Sequence, residues 1–119
     1  MRSILQVWLL LIVGFFLAGC APQADYDIRG EWEYTMTATD GNLYDTGAIT
    51  FSGEAARGTY LQVNIYAVEY EGEFTVDGVQ LTLTGDESWQ GTLADANTIS
   101  GTWDHADENQ AGTFSATRK

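Results

Sequence analysis

From residue 27 onward, apolar and polar side chains alternate with a period of two, and no apolar set recurs at three- and four-residue spacing. Successive side chains of a strand point to opposite faces, so this pattern predicts half-buried β-strands and not helices. In the first run Ile28, Gly30, Trp32, Tyr34 and Met36 fall on one side, with Arg29, Glu31, Glu33, Thr35 and Thr37 on the other. A later run sets Tyr66, Val68, Tyr70, Gly72, Phe74 and Val76 inside, against Glu69, Glu71, Glu73 and Thr75 outside. Eight runs can be marked, at 27–38, 45–52, 57–64, 66–76, 79–85, 87–94, 97–104 and 111–118. Short loops join them, which predicts an antiparallel up-and-down order. Left open, such a sheet would expose two unpaired edges, and curling into an eight-stranded barrel removes both. The expected fold is all-β, one barrel domain over 27–119.

Two hairpins carry a register. Val76-Asp77-Gly78-Val79 reads as a two-residue Asp-Gly turn, pairing Val76 with Val79 and Phe74 with Leu81. Around Ala96 the chain is nearly palindromic, which sets Leu93 against Ile99, Gly91 against Gly101 and Trp89 against Trp103. The third run breaks the rule. Tyr60 and the trio Leu61, Val63 and Ile65 have opposite parity, so a bulge or a two-sided strand is expected there.

Before the barrel, Arg2 precedes a mostly apolar stretch from Ile4 to Ala18, ending in Leu17-Ala18-Gly19-Cys20. At roughly fifteen residues the stretch is short for a helix that must cross a bilayer, which needs about 20. It fits the apolar helical core of a secretory signal. Cys20 is the only cysteine, so no disulfide framework or zinc set is available to it. This segment resembles a bacterial lipoprotein signal. The resemblance implies removal of residues 1–19, lipid on Cys20, a tether over 20–26, and localisation to the cell envelope. Ala21, in place of an aspartate after the cysteine, implies the outer membrane in a Gram-negative envelope.

Charge narrows the partners. Loss of the leader takes Arg2 with it and leaves four basic side chains against 17 acidic ones. Nucleic acid binding depends on Lys and Arg neutralising phosphates, so no nucleic acid partner is expected. The membrane is expected to be met through the lipid and not through the anionic domain itself.

Little in the sequence points to catalysis. His105 is the only histidine and sits in Asp104-His105-Ala106-Asp107-Glu108-Asn109, a composition that reads as a solvated hairpin tip. One histidine among loop carboxylates is a poor metal set. Glu69, Glu71 and Glu73 read as an outer solvated stripe. No cofactor, metal site or enzymatic activity is expected.

From residue 27 onward Gly-x-aromatic occurs five times, at Gly30/Trp32, Gly58/Tyr60, Gly72/Phe74, Gly101/Trp103 and Gly112/Phe114. Each pair sets bare backbone beside a large ring on one face, as a tapering barrel requires. With Gly30-Glu31-Trp32 opening the first strand and Arg118 ending the last, the chain resembles the lipocalin-like, or calycin, barrels. The resemblance implies that Trp32 packs at the closed end under the Arg118 guanidinium. Inward rings at Trp32, Tyr34, Tyr60, Tyr70, Trp89 and Trp103 either fill the barrel or line a pocket, since eight strands permit both. Two functions follow as expectations. One is a non-catalytic interaction or structural role with another envelope protein. The other is binding or transport of a small hydrophobic ligand inside the barrel.

Overall fold

The alternation is realised as eight strands: β1 (Gly30–Ala38), β2 (Leu43–Gly53), β3 (Arg57–Asn64), β4 (Glu69–Asp77), β5 (Gln80–Thr84), β6 (Ser88–Asp95), β7 (Thr98–His105) and β8 (Gln110–Arg118). The computed structural model describes residues 21–119. The leader and Cys20 lie outside the described residues. Each strand pairs antiparallel with the next, and β8 returns to pair with β1 from Trp32↔Arg118 to Ala38↔Gly112, so the sheet closes.

Inside, the rings interlock. Trp32 meets Phe51 edge-on at 6.5 Å between centroids, and Phe51 meets Phe74 at 5.2 Å. Higher in the barrel Trp89 lies between Tyr34, at 5.6 Å, and Phe114, at 4.7 Å. Edge-to-face and tilted contacts of this kind contribute about 0.5–1.5 kcal/mol each beyond the area they bury. Aliphatic side chains of β2 and β4–β7 fill between them, including Ile49, Val76, Leu81, Leu83, Leu93 and Ile99. A small residue beside a large one is obligatory at Gly72. A methyl group there would stand 2.6 Å from the Tyr60 ring.

One end of the barrel is shut. Trp32 is fully buried, and its indole donates to the Ile28 carbonyl at 2.8 Å. The Arg118 guanidinium lies over the ring, 4.6 Å from its centroid. It also donates to the carbonyls of Asp27 (2.6 Å), Arg29 (3.0 Å) and Ala96 (2.9 Å). One side chain therefore ties the incoming chain to the β6–β7 turn. Asp27 clasps Arg29 beside it, and this ion pair, led by its side-chain hydrogen bond, lowers the Asp27 carboxyl to about 2. The preceding residues are not a free spacer. Gly78 donates to the Gln23 carbonyl at 2.7 Å and accepts from the Asp25 amide at 2.9 Å, so residues 23–25 run along the β4–β5 turn.

The palindromic hairpin takes the expected register, with Trp89↔Trp103, Gly91↔Gly101 and Leu93↔Ile99. The Asp-Gly hairpin does not. Val76 pairs with Leu81, Phe74 with Leu83, and Asp77 with Gln80, so the turn is centred on Gly78-Val79. Gly78 alone has positive φ (62°), as a turn with glycine first requires, and its amide and carbonyl are held by Gln23 and Asp25. A shift of two residues keeps every side chain on its face, so alternation could not separate the registers.

The third strand has no bulge. It runs regularly, with Tyr60 and Gln62 inward and Leu61 and Val63 half-covered outside. Bulges fall elsewhere, at Met36/Thr37 and between Leu93 and Asp95. Tyr66 and Val68, expected inward on a long fourth strand, lie exposed in the β3–β4 loop. There the Asn64 side-chain oxygen accepts from the Tyr66 and Val68 amides while Ala67 turns to φ 62°, which ends the strand.

Candidate functional site at the open end of the barrel

Opposite the closed end lie the β1–β2, β3–β4, β5–β6 and β7–β8 loops, the last folded as a short 3-10 turn, Ala106–Glu108. Between them opens a cleft of about 350 Å³. Its walls are the rings of Tyr44, Tyr66 and Tyr70, and its polar groups come from Asp45, Asn64, Asp86, Glu87, His105 and Glu108.

The parity rule that builds the core also builds this site. Residues two apart share a face, so Gln62 follows Tyr60 inward, Glu87 precedes Trp89, and His105 follows Trp103. Gln62 is only 2% exposed and Glu87 only 7%. Each of these three inward faces thus ends in a polar group at the mouth. Tyr44 arrives differently. It is the extra residue of the β1–β2 bulge, since Met36 pairs with Asp45 and Thr37 with Leu43. The bulge lays its ring on Trp103 at 4.2 Å, and the Trp103 indole donates to the Thr37 carbonyl at 3.1 Å.

Several carboxylates are already engaged. Asp45 accepts from the Tyr34 hydroxyl at 3.1 Å and from the Thr46 amide at 2.9 Å, and Glu108 accepts from the Tyr44 hydroxyl at 3.3 Å. Among the described residues, four buried side-chain polar atoms have no hydrogen-bond partner: Gln62 Nε2, Glu87 Oε2, Trp89 Nε1 and His105 Nδ1. Buried polar groups are nearly always paired, so four together at one end mark an unusual environment.

Electrostatics agree with this geometry. Burial pushes the Glu87 carboxyl up, against the weaker opposing pull of the Trp89 indole and of His105, and Asp45 and Glu108 add to the rise. Tyr44 and Tyr60 rise to about 12, first by burial and then by nearby acids, Glu87 in both cases. Tyr34 rises further, chiefly by burial, although the adjacent Gln62 amide pulls the other way. Burial followed by the surrounding carboxylates also raises Tyr70. The mouth disfavours negative charge. Among the described residues, no three His, Asp or Glu groups converge as metal ligands.

The six rings named from the sequence divide between core and mouth. Trp32 lies at the closed end under Arg118, while Tyr34, Tyr60 and Trp89 are buried in packed positions. Trp103 is buried as the base for Tyr44, and half-buried Tyr70 lines the cleft. Sequence reasoning passed over Glu87, Gln62, Asp45 and Tyr44. Shared parity with Trp89 and Tyr60 was a signal for Glu87 and Gln62. The bulge that brings in Tyr44 left none.

No protein-family model matches the sequence, and no curated protein matches it. Solved structures do. A redesigned β-barrel, b11L5F_LGL, superposes with a TM-score of 0.60 at 18% identity, over 82% of this chain and 99% of that one. EF1p2_mFAP2b bound to DFHBI gives 0.57 at 16% identity, over 77% and 94%. A de novo designed fluorescence-activating β-barrel gives 0.57 at 14%, over 78% and 94%. At these identities the likeness establishes the closed eight-stranded antiparallel architecture.

Proposed function

We propose that this protein is a lipid-anchored lipoprotein of the bacterial envelope, built on a lipocalin-like barrel, which acts without catalysis by presenting its open end to another envelope component. In this reading residues 1–19 are the signal, Cys20 carries the lipid and the membrane is outer if the envelope is Gram-negative. One observation carries the proposal: the molecule is polarised along its axis. The chain leaving Cys20 is bound across the closed end at Gln23, Asp25 and Asp27, whereas the exposed large apolar side chains among the described residues, Leu43, Ile65, Tyr66 and Val68, all sit at the opposite end. Exposed apolar groups gathered at one place mark an interaction surface. Ala21 and Pro22 alone then separate lipid from barrel, a reach of roughly 7–11 Å. The membrane is met by the shut end and the mouth faces away.

Binding of a small molecule is the second reading, favoured by the cleft and its unpaired polar atoms. The DFHBI bound by a redesigned β-barrel of similar architecture, mFAP1, lends it support. Because packed rings occupy the middle of the barrel, the cleft at the mouth is the place for such a ligand.

Two experiments test the proposal. Cys20→Ser should move the protein from the membrane to the soluble fraction, and retention at the membrane would refute the anchor. A photo-crosslinking residue at position 66 should give discrete adducts in cells that one at the outer-wall position Glu33 does not. Equal labelling from both positions would refute the open end as the working face.

A further inference from the structure

Ile65, Tyr66 and Val68 hold large apolar side chains in water on one loop, between β3 and β4, with Tyr66 79% exposed. Apolar groups gathered in this way, and not scattered singly, mark a contact surface. The loop is not loose. The Asn64 side-chain oxygen accepts from the Tyr66 and Val68 amides, Ala67 donates to the Asn64 carbonyl at 2.9 Å, and Ile65 donates to the Thr46 carbonyl at 3.1 Å. Its side chains are therefore held outward on a fixed backbone, which has little freedom left to lose when something covers them. Tyr66 also lines the cleft at the mouth beside Asp45, Asp86 and Glu108, so loop and cleft form one surface.

Charge selects what can cover it. Every basic side chain among the described residues stands at the closed end: Arg29 before β1, Arg57 at the start of β3, and Arg118 and Lys119 where β8 finishes. The open end carries Asp40, Glu69, Asp86, Asp107 and Glu108, all exposed, and no Lys or Arg among its described residues. A second copy of this chain would set like charge against like, as would an anionic lipid surface. A neutral apolar segment would cover the loop but strip water from the neighbouring carboxylates without pairing them. A protein segment that mixes aliphatic side chains with Lys or Arg answers both halves of the surface. Its apolar groups cover Ile65, Tyr66 and Val68, and its cations meet the acidic rim, where charge governs encounter and choice of partner more than raw affinity.

We propose that the β3–β4 loop and the acidic rim beside it dock a basic, aliphatic-bearing segment of a partner protein. This rests on the open end as the working face, but its test uses purified protein and a synthetic peptide, so the two ideas can fail separately. The ¹⁵N-labelled full chain in non-ionic detergent is titrated with a lysine-rich peptide carrying two leucines. The backbone amides of Leu43 and Ala67 are the reporters. Both should shift saturably. Serine for leucine in the peptide, or Tyr66→Ser with Val68→Ser in the protein, should weaken binding by about tenfold or more, as loss of buried apolar area predicts. Asp86→Asn with Asp107→Asn should weaken it about threefold, whereas Glu54→Gln with Asp77→Asn, which removes equal charge from the closed end, should leave it unchanged. Equal binding of a peptide with glutamine for lysine would show that charge selects nothing, and equal losses from the two charge variants would show attraction by the whole molecule. Shifts of the same amides on dilution without peptide would mean that a second copy covers the loop. Each of these results, or no saturable shift, would overturn the proposal, and discrete adducts from position 66 in cells would still leave the open end as the working face.

Discussion

At the level of single residues, Glu87 and Gly72 show what inward parity demands. Glu87 is a carboxylate at a core-facing position, and its folded-state pKa is raised above its ordinary value of 4.5, first by burial. The sign follows directly. The folded state holds the proton more tightly than the unfolded chain, so stability falls as pH rises through this range and is regained on acidification. Asp45, Asp86 and Glu108 surround the group with like charge, while His105 and the Trp89 indole oppose them. Thermal melts from pH 7 to pH 5 should therefore show the Tm of the native protein rising relative to that of Glu87→Gln. At pH 7 the variant should be the more stable by about 1–3 kcal/mol, the cost of a buried group left unsatisfied. A variant less stable than the native chain at pH 7 would mean that Glu87 is internally compensated. Gly72→Ala is the opposite case. The added methyl would meet the Tyr60 ring at 2.6 Å, and overpacking of that kind costs about 1–3 kcal/mol, measurable by urea denaturation.

Elements show how far alternation could be read and where it stopped. Strand number, order and closure follow from period two and short loops, because only a closed sheet covers every edge. The β6–β7 register was legible because large residues meet large and Gly91 meets Gly101 in one alignment. In the β4–β5 hairpin two alignments preserve both faces, and Gly78 contacts with the distant residues Gln23 and Asp25 accompany the choice between them. Tyr66 and Val68 continue the alternation past the strand's end, which is set by Asn64 capping amides that no hydropathy pattern records. The candidate site was the least legible part. Polar residues at inward positions look like exceptions until the strand ends are known, and Tyr44 depends on a bulge. At the closed end, Arg118 joins three separate carbonyls that a lysine could not reach together. Arg118→Lys should thus lower stability by about 1–3 kcal/mol. Lys119→Ala, which removes only an exposed ion pair with Glu31, should change it by under about 1 kcal/mol. Urea denaturation followed by tryptophan fluorescence compares the two, and equal losses would show that the guanidinium network adds nothing.

For the molecule as a whole, charge is the dominant property. With 17 acidic side chains and few basic ones, the folded domain repels itself. Raising salt from about 10 mM to about 150 mM shortens the screening length from about 30 Å to about 8 Å, and the Tm should rise accordingly. Strong acid should act through a different group. The Asp27 carboxyl, lowered to about 2 mainly by its hydrogen bond with Arg29, stabilises the fold above its ordinary value of 3.8, and this is lost as pH falls towards 2. Asp27→Asn should flatten that part of the acid profile. The pair is half-exposed, so its contribution is small.

The seam between β1 and β8 joins the first strand of the barrel to the eighth. While the ribosome is still adding residues 110–118, β1 lacks one of its two neighbours and the cylinder cannot seal. A nascent chain is therefore held short of its final shape until β8 has emerged. Protease removal of β8 would return the finished protein to that unsealed condition.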